Sequence, residues 1–379
     1  MNILYTLNSS NIGGMELHVL DLVKGMKKCG HHVFVICPNG PLTARFENAG
    51  ANVYKIQITK DIDFSYIKQT SKIIRDSGID IVHSHELKAS VNTLIAAFLS
   101  GLKNRVTHTH TPISEWQINN FKKRIDIFVY TFFVNLFSTY EIALTESRKK
   151  VKASEGIKPN KLKVIANGID VEKYKIDDFT KSSYKTENFA RFGFPKGSYV
   201  FGTLGRISRE KGHFVLLKGF LEFKQKYQPN QNIKLLICGD GEMVEDLKTF
   251  INDNKMNSDV FITGRFDDEQ KMRLLSTMDA FVHPSLAEGF GIVLIEAIAF
   301  GLPIVVSDLE VFKEVAGANA TYFKTGDSSD LADKLNIMYE KRDNLGNILN
   351  FSRDRINALY SLNDFVDNYN KFYEEVIKI

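Results

Sequence analysis

The chain is poor in the residues that build disulfide frameworks, flexible linkers and membrane spans. Its three cysteines, Cys29, Cys37 and Cys238, are scattered, and none lies in a Cys-x-x-Cys pair. An odd, scattered set supports neither a disulfide framework nor a thiolate zinc site, and a reducing cytoplasm is expected. Only 8 prolines occur among 379 residues, which excludes long proline-rich linkers. No run reaches the ~18 apolar residues of a membrane span. Met1–Asn8 has neither the basic leader nor the apolar stretch of a signal peptide. No Gly-x-x-x-x-Gly-Lys-Ser/Thr string occurs, so a Walker phosphate loop is excluded. No nucleic-acid-binding motif is found, and no nucleic-acid partner is expected.

What is present is ordinary for a soluble globular protein: 44% hydrophobic and 25% charged residues. The length predicts two or three domains at about 100–200 residues each. The net charge of +4 is unevenly divided: residues 1–168 hold 22 Lys+Arg against 13 Asp+Glu, and the remainder 27 against 32. A basic first half points to an anionic partner (a phosphorylated substrate, nucleic acid or a membrane surface) or to scattered solvated charge.

The pattern predicts strands over Met1–Asn8, His32–Cys37, Ile79–His83 and Arg105–Thr109, with helices between them. The first helix is expected from about Met15 to Lys28, where Met15, Val19, Leu22, Val23 and Met26 share a face. The pattern restarts with strands at Tyr199–Leu204, Lys234–Cys238, Asp259–Ile262, Ala280–His283 and Pro303–Val306. Alternating strands and helices argue for parallel sheets covered on both faces, here two doubly wound α/β domains with ligands beyond the carboxyl ends of the strands. The join is placed at Asn167-Gly168, with domains over 1–168 and 169–361. Residues 175–198 read as a polar connector. Phe365, Tyr369, Phe372, Tyr373 and Val376 give 362–379 the spacing of an amphipathic closing helix packing back on the first domain.

Two segments carry the chemistry. Gly205-Arg206-Ile207-Ser208-Arg209-Glu210-Lys211-Gly212 follows a strand and opens a helix. Free N–H groups and the dipole at a helix start favour anions, and Arg206 and Lys211 add two cations suited to a diphosphate. The bland reading is a surface turn with scattered basic residues. Glu288-Gly289-Phe290-Gly291-Ile292-Val293-Leu294-Ile295-Glu296 begins a second helix from about residue 291. Its two carboxylates, about two turns apart if both are helical, could hold two ends of an extended ligand. The bland reading is a capping carboxylate and a buried, paired Glu296.

These motifs, in order and at these separations, resemble the retaining glycosyltransferases of the GT-B fold, family four. The resemblance spans nearly the whole chain: Gly13-Gly14, the strand ending at His110, Asn167-Gly168-Ile169-Asp170, Gly205–Gly212, Gly239-Asp240-Gly241 and the Glu288…Glu296 pair continuing to Gly301-Leu302-Pro303. It implies two Rossmann-like domains facing a central cleft, the first taking the acceptor and the second the donor. Arg206 and Lys211 would clamp the donor diphosphate with Gly205 beside them. Glu296 would accept from ribose hydroxyls, and Glu288 would contact the transferred sugar. Gly289, Phe290, Gly291 and Ile292 would offer backbone near sugar and phosphate. Gly13 and Gly14 would approach the diphosphate, and His110 would line the reaction centre. Gly239, Arg265 and Phe266 would lie along the nucleotide.

The implied activity is retaining transfer of a hexose or N-acetylhexosamine from a UDP- or GDP-sugar to a sugar or lipid-linked acceptor. The expected setting is bacterial surface polysaccharide or glycolipid synthesis, in the cytoplasm or at the inner face of the plasma membrane. No metal and no cofactor are expected, the nucleotide sugar being a co-substrate. The alternatives are a non-catalytic sugar-nucleotide-binding subunit and a nucleotide-sugar epimerase of the same fold. One departure is that many relatives carry a Gly-Gly pair where this chain has Leu309-Glu310-Val311-Phe312.

Three further features have competing readings. Asp61-Ile62-Asp63 mimics a metal-binding DxD, but Asp63 suits a helix N-cap. His83 with His85, and His108 with His110, could each ligate a metal from one strand face. No cysteine or acidic cluster completes the set, so polar strand ends lining a cleft are expected. Trp116–Tyr140, rich in aromatics behind Lys122, Lys123 and Arg124, is either a buried helix or one lying in an anionic membrane interface.

Overall fold

The computed structural model describes residues 1–229, 232–344 and 346–378. The chain divides into two compact units, Met1–Gly168 with Leu362–Ile379, and Ile169–Ser361. Of the segment read as the closing helix, Ile379 lies outside the described residues.

The first unit runs β1 (Asn2–Thr6), α1 (Gly14–Lys28), β2 (His32–Cys37), α2 (Thr43–Asn48), β3 (Asn52–Lys55), α3 (Phe64–Asp76), β4 (Ile81–His85), α4 (Leu87–Leu99), β5 (Arg105–His108), α5 (Asn120–Phe137), β6 (Tyr140–Ala143), α6 (Glu146–Ser154) and β7 (Leu162–Val164). The second runs α7 (Asp178–Phe192), β8 (Tyr199–Leu204), α8 (His213–Tyr227), β9 (Ile233–Cys238), α9 (Val244–Asp253), β10 (Val260–Ile262), α10 (Asp268–Thr277), β11 (Ala280–His283), α11 (Ile292–Phe300), β12 (Ile304–Ser307), α12 (Glu310–Ala316), β13 (Thr321–Phe323), α13 (Ser328–Glu340) and α14 (Gly346–Leu359). The last helix, α15 (Leu362–Ile377), belongs to the first unit.

Both sheets are parallel and doubly wound. Their orders are β3-β2-β1-β4-β5-β6-β7 and β10-β9-β8-β11-β12-β13. The order reverses between β1 and β4 in one unit and between β8 and β11 in the other. Such switch points leave a crevice beyond the carboxyl ends of the strands. In the first unit, Val19, Leu22, Val23 and Met26 of α1 join a core completed by Phe365, Tyr369, Phe372, Tyr373 and Val376 of α15. All five apolar residues predicted to line the closing helix are buried there.

The structure corrects several expectations. β4 covers Ile81–His85 rather than Ile79–His83, so both of its histidines lie inside the strand. The short strands β3, β6, β7 and β13 carried too few apolar residues to be read from the sequence. Residues 175–198 are not a connector throughout. They contain α7, whose Asp177 caps Thr180 N–H at 2.9 Å and whose Gly193, at φ 67°, ends it. This polar helix holds to α10 through Asn188, whose amide donates to Thr277 Oγ1 at 2.8 Å. As predicted, Asp63 is the N-cap of α3.

Candidate active site

The second unit gathers its motif residues around the β8/β11 switch point. The Gly205–Gly212 loop leaves β8, turns through a short 3₁₀ segment at Arg209–Lys211 and enters α8 at Gly212. Gly212 has φ 68°, and a Cβ there would strike the Pro284 carbonyl oxygen, so only glycine fits. The loop after β11 is tied to it through backbone: the Glu210 carbonyl accepts from Leu286 N–H at 2.7 Å. Gly239, at φ 152°, is similarly pressed against the Gly205 carbonyl, which lets the ends of β8 and β9 meet. Gly239 also bridges Gly264, which brings Arg265 against Asp240 at 2.7 Å. Phe266 beside it is partly buried.

Lys211 Nζ lies 2.6 Å from Glu288 Oε2. His283 Nε2 and Ser285 Oγ approach the same oxygen at 3.3 and 3.4 Å. Burial pushes the Glu288 carboxyl upward, but the Lys211 ammonium and the His283 hydrogen bond outweigh it and hold it below the usual carboxylate range. Arg206 is exposed and makes no ion pair among the described residues.

Glu288 stands in the bend before α11, not on the helix, so the two-turn spacing imagined for Glu288 and Glu296 does not apply. Gly289 and Phe290 lie in the same bend, Gly291 caps α11 and Ile292 opens it. The Phe290 ring is buried edge-on to Tyr360, at 5.4 Å, so only its backbone is available to a ligand.

Glu296 is buried in α11. Its Oε1 accepts from the Tyr174 hydroxyl at 2.6 Å and from Lys271 Nζ at 2.8 Å. Its Oε2 is buried with no partner among the described residues. The sequence reading missed Tyr174 and Lys271, because nothing in their local spacing points at Glu296. Where the departure occurs, Leu309 caps the short helix α12, and Phe312 packs on the His283 ring at 5.1 Å.

The remaining predicted residues lie in the first unit. Gly13 caps α1 without a side-chain bond, and Gly14 opens it with no heavy atom near its Cβ position. The start of α1 thus offers free N–H groups beyond β1, beside the β1/β4 switch. His110 follows β5. Its backbone N–H donates to Glu86 Oε1 at 3.0 Å, and its Nε2 lies 3.2 Å from His85 Nδ1.

Glu86, not singled out from the sequence, has φ 68° although it is not glycine. Such strain clusters at functional sites. Burial pushes its carboxyl up to about 7. Three of the four strand-end histidines do not line an open cleft, while His110 is partly exposed. His83, His85 and His108 are wholly buried, and His18 of α1 joins them, its ring 5.2 Å from that of His108.

On α5 the buried-helix reading holds for one face: Tyr130 and Val134 are buried, and Ile127, Phe133 and Phe137 pack partly buried against the same cluster. Phe121, Ile125, Phe128, Phe132 and Leu136 form an exposed stripe, with Phe128 69% exposed. Among the described residues, no helix is long and apolar enough to cross a membrane.

Two parallel Rossmann-like sheets, with cations, glycines and helix starts at a switch point, define an α/β enzyme built for a nucleotide ligand. The family models "Glycosyltransferase Family 4" and "Glycosyl transferases group 1" match residues 12–173 and 184–354. The UDP-Gal:alpha-D-GlcNAc-diphosphoundecaprenol alpha-1,3-galactosyltransferase of Escherichia coli is 26% identical, over 79% of this chain and 80% of that protein. The N,N'-diacetylbacillosaminyl-diphospho-undecaprenol alpha-1,3-N-acetylgalactosaminyltransferase of Campylobacter jejuni is also 26% identical, over 97% and 98%. The crystal structure of Anabaena HepE in complex with UDP and glucose superposes with a TM-score of 0.86 at 21% identity, covering 99% of this chain and 100% of that one. The chain belongs to the GT-B glycosyltransferases of the family 4 type and is a transferase acting on nucleotide sugars.

Proposed function

We propose that the protein transfers a hexose or N-acetylhexosamine from a UDP- or GDP-sugar to a sugar or lipid-linked acceptor, with retention and without a metal ion in the transfer step. The second unit takes the donor, and the first takes the acceptor. The observation that carries the donor reading is Glu296. A buried carboxylate oxygen without a donor is costly, and a ribose diol supplies the missing hydroxyl groups. Tyr174 and Lys271 hold the other oxygen and so orient the carboxylate.

In transfer, the bond from sugar C1 to the diphosphate oxygen breaks and negative charge grows on the leaving group. Arg206 and Lys211, with the N–H groups at the starts of α8 and α11, absorb that charge in place of a metal. The acceptor oxygen attacks C1 on the same face, and its proton passes to the departing phosphate oxygen. Glu288 stays ionised and serves to position and stabilise, not to attack. Lys211 must trade its bond to Glu288 for the diphosphate, or share itself between them.

The lipid-linked acceptor draws support from the names of the two undecaprenol relatives and from α5. Its exposed apolar stripe lies behind Lys122, Lys123 and Arg124, the pairing expected of a helix resting on an anionic bilayer. The proposed setting is surface polysaccharide or glycolipid assembly at the cytoplasmic membrane face.

The deciding experiment screens binding and slow hydrolysis of UDP, GDP, ADP and their hexose conjugates, with and without EDTA. Selective, EDTA-insensitive binding that weakens in Arg206→Ala is expected. Failure to bind any nucleotide, or release of an epimerised nucleotide sugar, overturns the reading.

A further inference from the structure

Four imidazoles converge in the first unit, beyond the β1/β4 switch. His18 comes from α1, His85 ends β4, His108 ends β5 and His110 follows just after it. One ring nitrogen from each lies within 4.8 Å of the other three. The rings of His108 and His110 stack at 4.0 Å, and His18 stands edge-on to His110 at 4.8 Å.

The cluster is short of hydrogen-bond partners. His18 Nε2, His85 Nε2 and both nitrogens of His108 are buried with none among the described residues. Polar atoms left so are rare in folded proteins and call for an explanation, such as a bound ion. His18 Nδ1 lies 2.7 Å from the Asn167 side-chain oxygen. An amide oxygen can only accept, so Nδ1 carries the proton and Nε2 presents a lone pair. A histidine that ligates a metal is held the same way, its second nitrogen donating to a carbonyl.

We propose that His18, His85, His108 and His110 bind one divalent transition-metal ion of the zinc and copper class.

The chemistry of the donor set selects the ion. Four nitrogens and no oxygen suit zinc, copper, nickel or cobalt and disfavour magnesium and calcium. Binding needs neutral imidazoles. With Zn–N bonds of about 2.0–2.1 Å, a tetrahedral site spaces its nitrogens about 3.3–3.4 Å apart. His85 Nδ1 and His110 Nε2 already stand at 3.2 Å. The nitrogens lie within 4.8 Å of one another, so the side chains must rotate to close on an ion. A hydrogen bond accounts for that one pair but leaves His108 with no partner at all. From the sequence the two strand pairs were candidate ligands without a completing partner; His18, from α1, completes the set, and His83 falls outside it. The His83 ring lies 4.3 Å from that of His85, tilted by 34°, and its Nδ1 is bonded to the Tyr373 hydroxyl at 2.7 Å; it is not among the four whose nitrogens converge.

The test uses the full chain without an affinity tag, stripped with a chelator and titrated with Co²⁺. One equivalent should give the visible d–d absorption of four-coordinate cobalt, and Zn²⁺ should abolish it by displacement. His108→Gln and His85→Gln should each weaken binding by more than the about 10–100-fold that an outer-shell partner is worth. His83→Gln should keep it. Circular dichroism checks that each variant folds, and either ligand variant suffices if the other does not.

A flat absorbance titration with no Zn²⁺-dependent rise in Tm overturns the site. Unchanged cobalt binding in both folded ligand variants does the same. Cobalt binding by a protein that transfers no sugar upholds the site while the proposed function fails.

Discussion

The two switch points of this molecule meet the same problem, polar groups held out of water, in opposite ways. In the second unit, Lys211 and Glu288 neutralise each other, and Lys271 does the same for one oxygen of Glu296. In the first, neutral imidazoles crowd together with several lone pairs unmatched. Paired ions make a site that is stable while empty and must rearrange when a charged ligand arrives. Unpaired neutral donors make a site that gains simply by being filled. The difference separates a centre that handles moving charge from one that can hold a cation.

The largest expected effect breaks the paired side. Arg206→Ala and Lys211→Ala should each lower turnover by roughly 10²–10³-fold, the order for removing one preorganised charge stabiliser. They should differ in stability. Arg206 is exposed, and its loss should leave Tm unchanged. Lys211→Ala leaves the mostly buried Glu288 carboxylate only the longer contacts of His283 and Ser285 among those described above, which costs about 1–3 kcal/mol, and adding Glu288→Gln should restore Tm but not turnover.

The pH dependence has a definite sign. Glu288 is held below its ordinary range, so its pair with Lys211 contributes stability above the unfolded value of about 4.3 and loses it as pH falls further. Acid melts should therefore be steeper in the wild type than in Lys211→Ala. Equal turnover in wild type and both single variants would remove the diphosphate clamp.

Glu296 sits between the two extremes, with one oxygen paired and one not. Glu296→Gln keeps the volume and loses the charge-assisted acceptor, worth about 1.5–3 kcal/mol or roughly 10–100-fold in nucleotide affinity. A nucleoside lacking the ribose hydroxyls should bind wild type and variant alike. If it still prefers the wild type, the ribose assignment is wrong and Glu296 is a structural acceptor for Tyr174 and Lys271.

The legible parts of the sequence were those governed by local periodicity or by glycine. The apolar spacing of 362–379 located α15, and the Gly205–Gly212 and Gly289–Gly291 runs located the loops at the β8/β11 switch. Three things were not legible, each for a stated reason. α7 is a helix with little apolar face, held by Asn188 and its caps, so composition read it as linker. Glu86 looks like any acidic loop residue until its φ of 68° is known. His18 sits on a helix remote in sequence from the other histidines, and only the topology that places α1 beside β4 and β5 brings them together.

A smaller effect tests the surface of the first unit. Phe128→Ser with Phe132→Ser on α5 should reduce binding to anionic phospholipid vesicles by about tenfold or more, since a buried phenylalanine is worth about 1.5–3 kcal/mol. Both side chains are exposed, so Tm and nucleotide affinity should not move. Equal vesicle binding by wild type and variant would leave the stripe without a membrane role.

The smallest expected effect sharpens the contrast with a third arrangement, a charge satisfied by neutral donors alone. Asp63 caps α3 and accepts from Thr59 N–H at 2.9 Å, from Tyr66 N–H at 3.0 Å and from the Thr59 hydroxyl at 2.8 Å. These bonds, the backbone ones first, hold its carboxyl down at about 2. Asp63→Ala should cost about 1 kcal/mol, the usual worth of an N-cap. That stability is fully present above the unfolded value of about 3.9 and is lost as pH falls toward 2. Because no cation faces Asp63 within this network, its contribution should survive high salt better than the Lys211–Glu288 pair. Divalent metal should leave the effect unchanged, since Asp63 is spent on α3 and Asp61 pairs with Lys88 at 3.1 Å. A metal-dependent loss of activity in Asp63→Ala would restore the DxD reading that the cap geometry opposes.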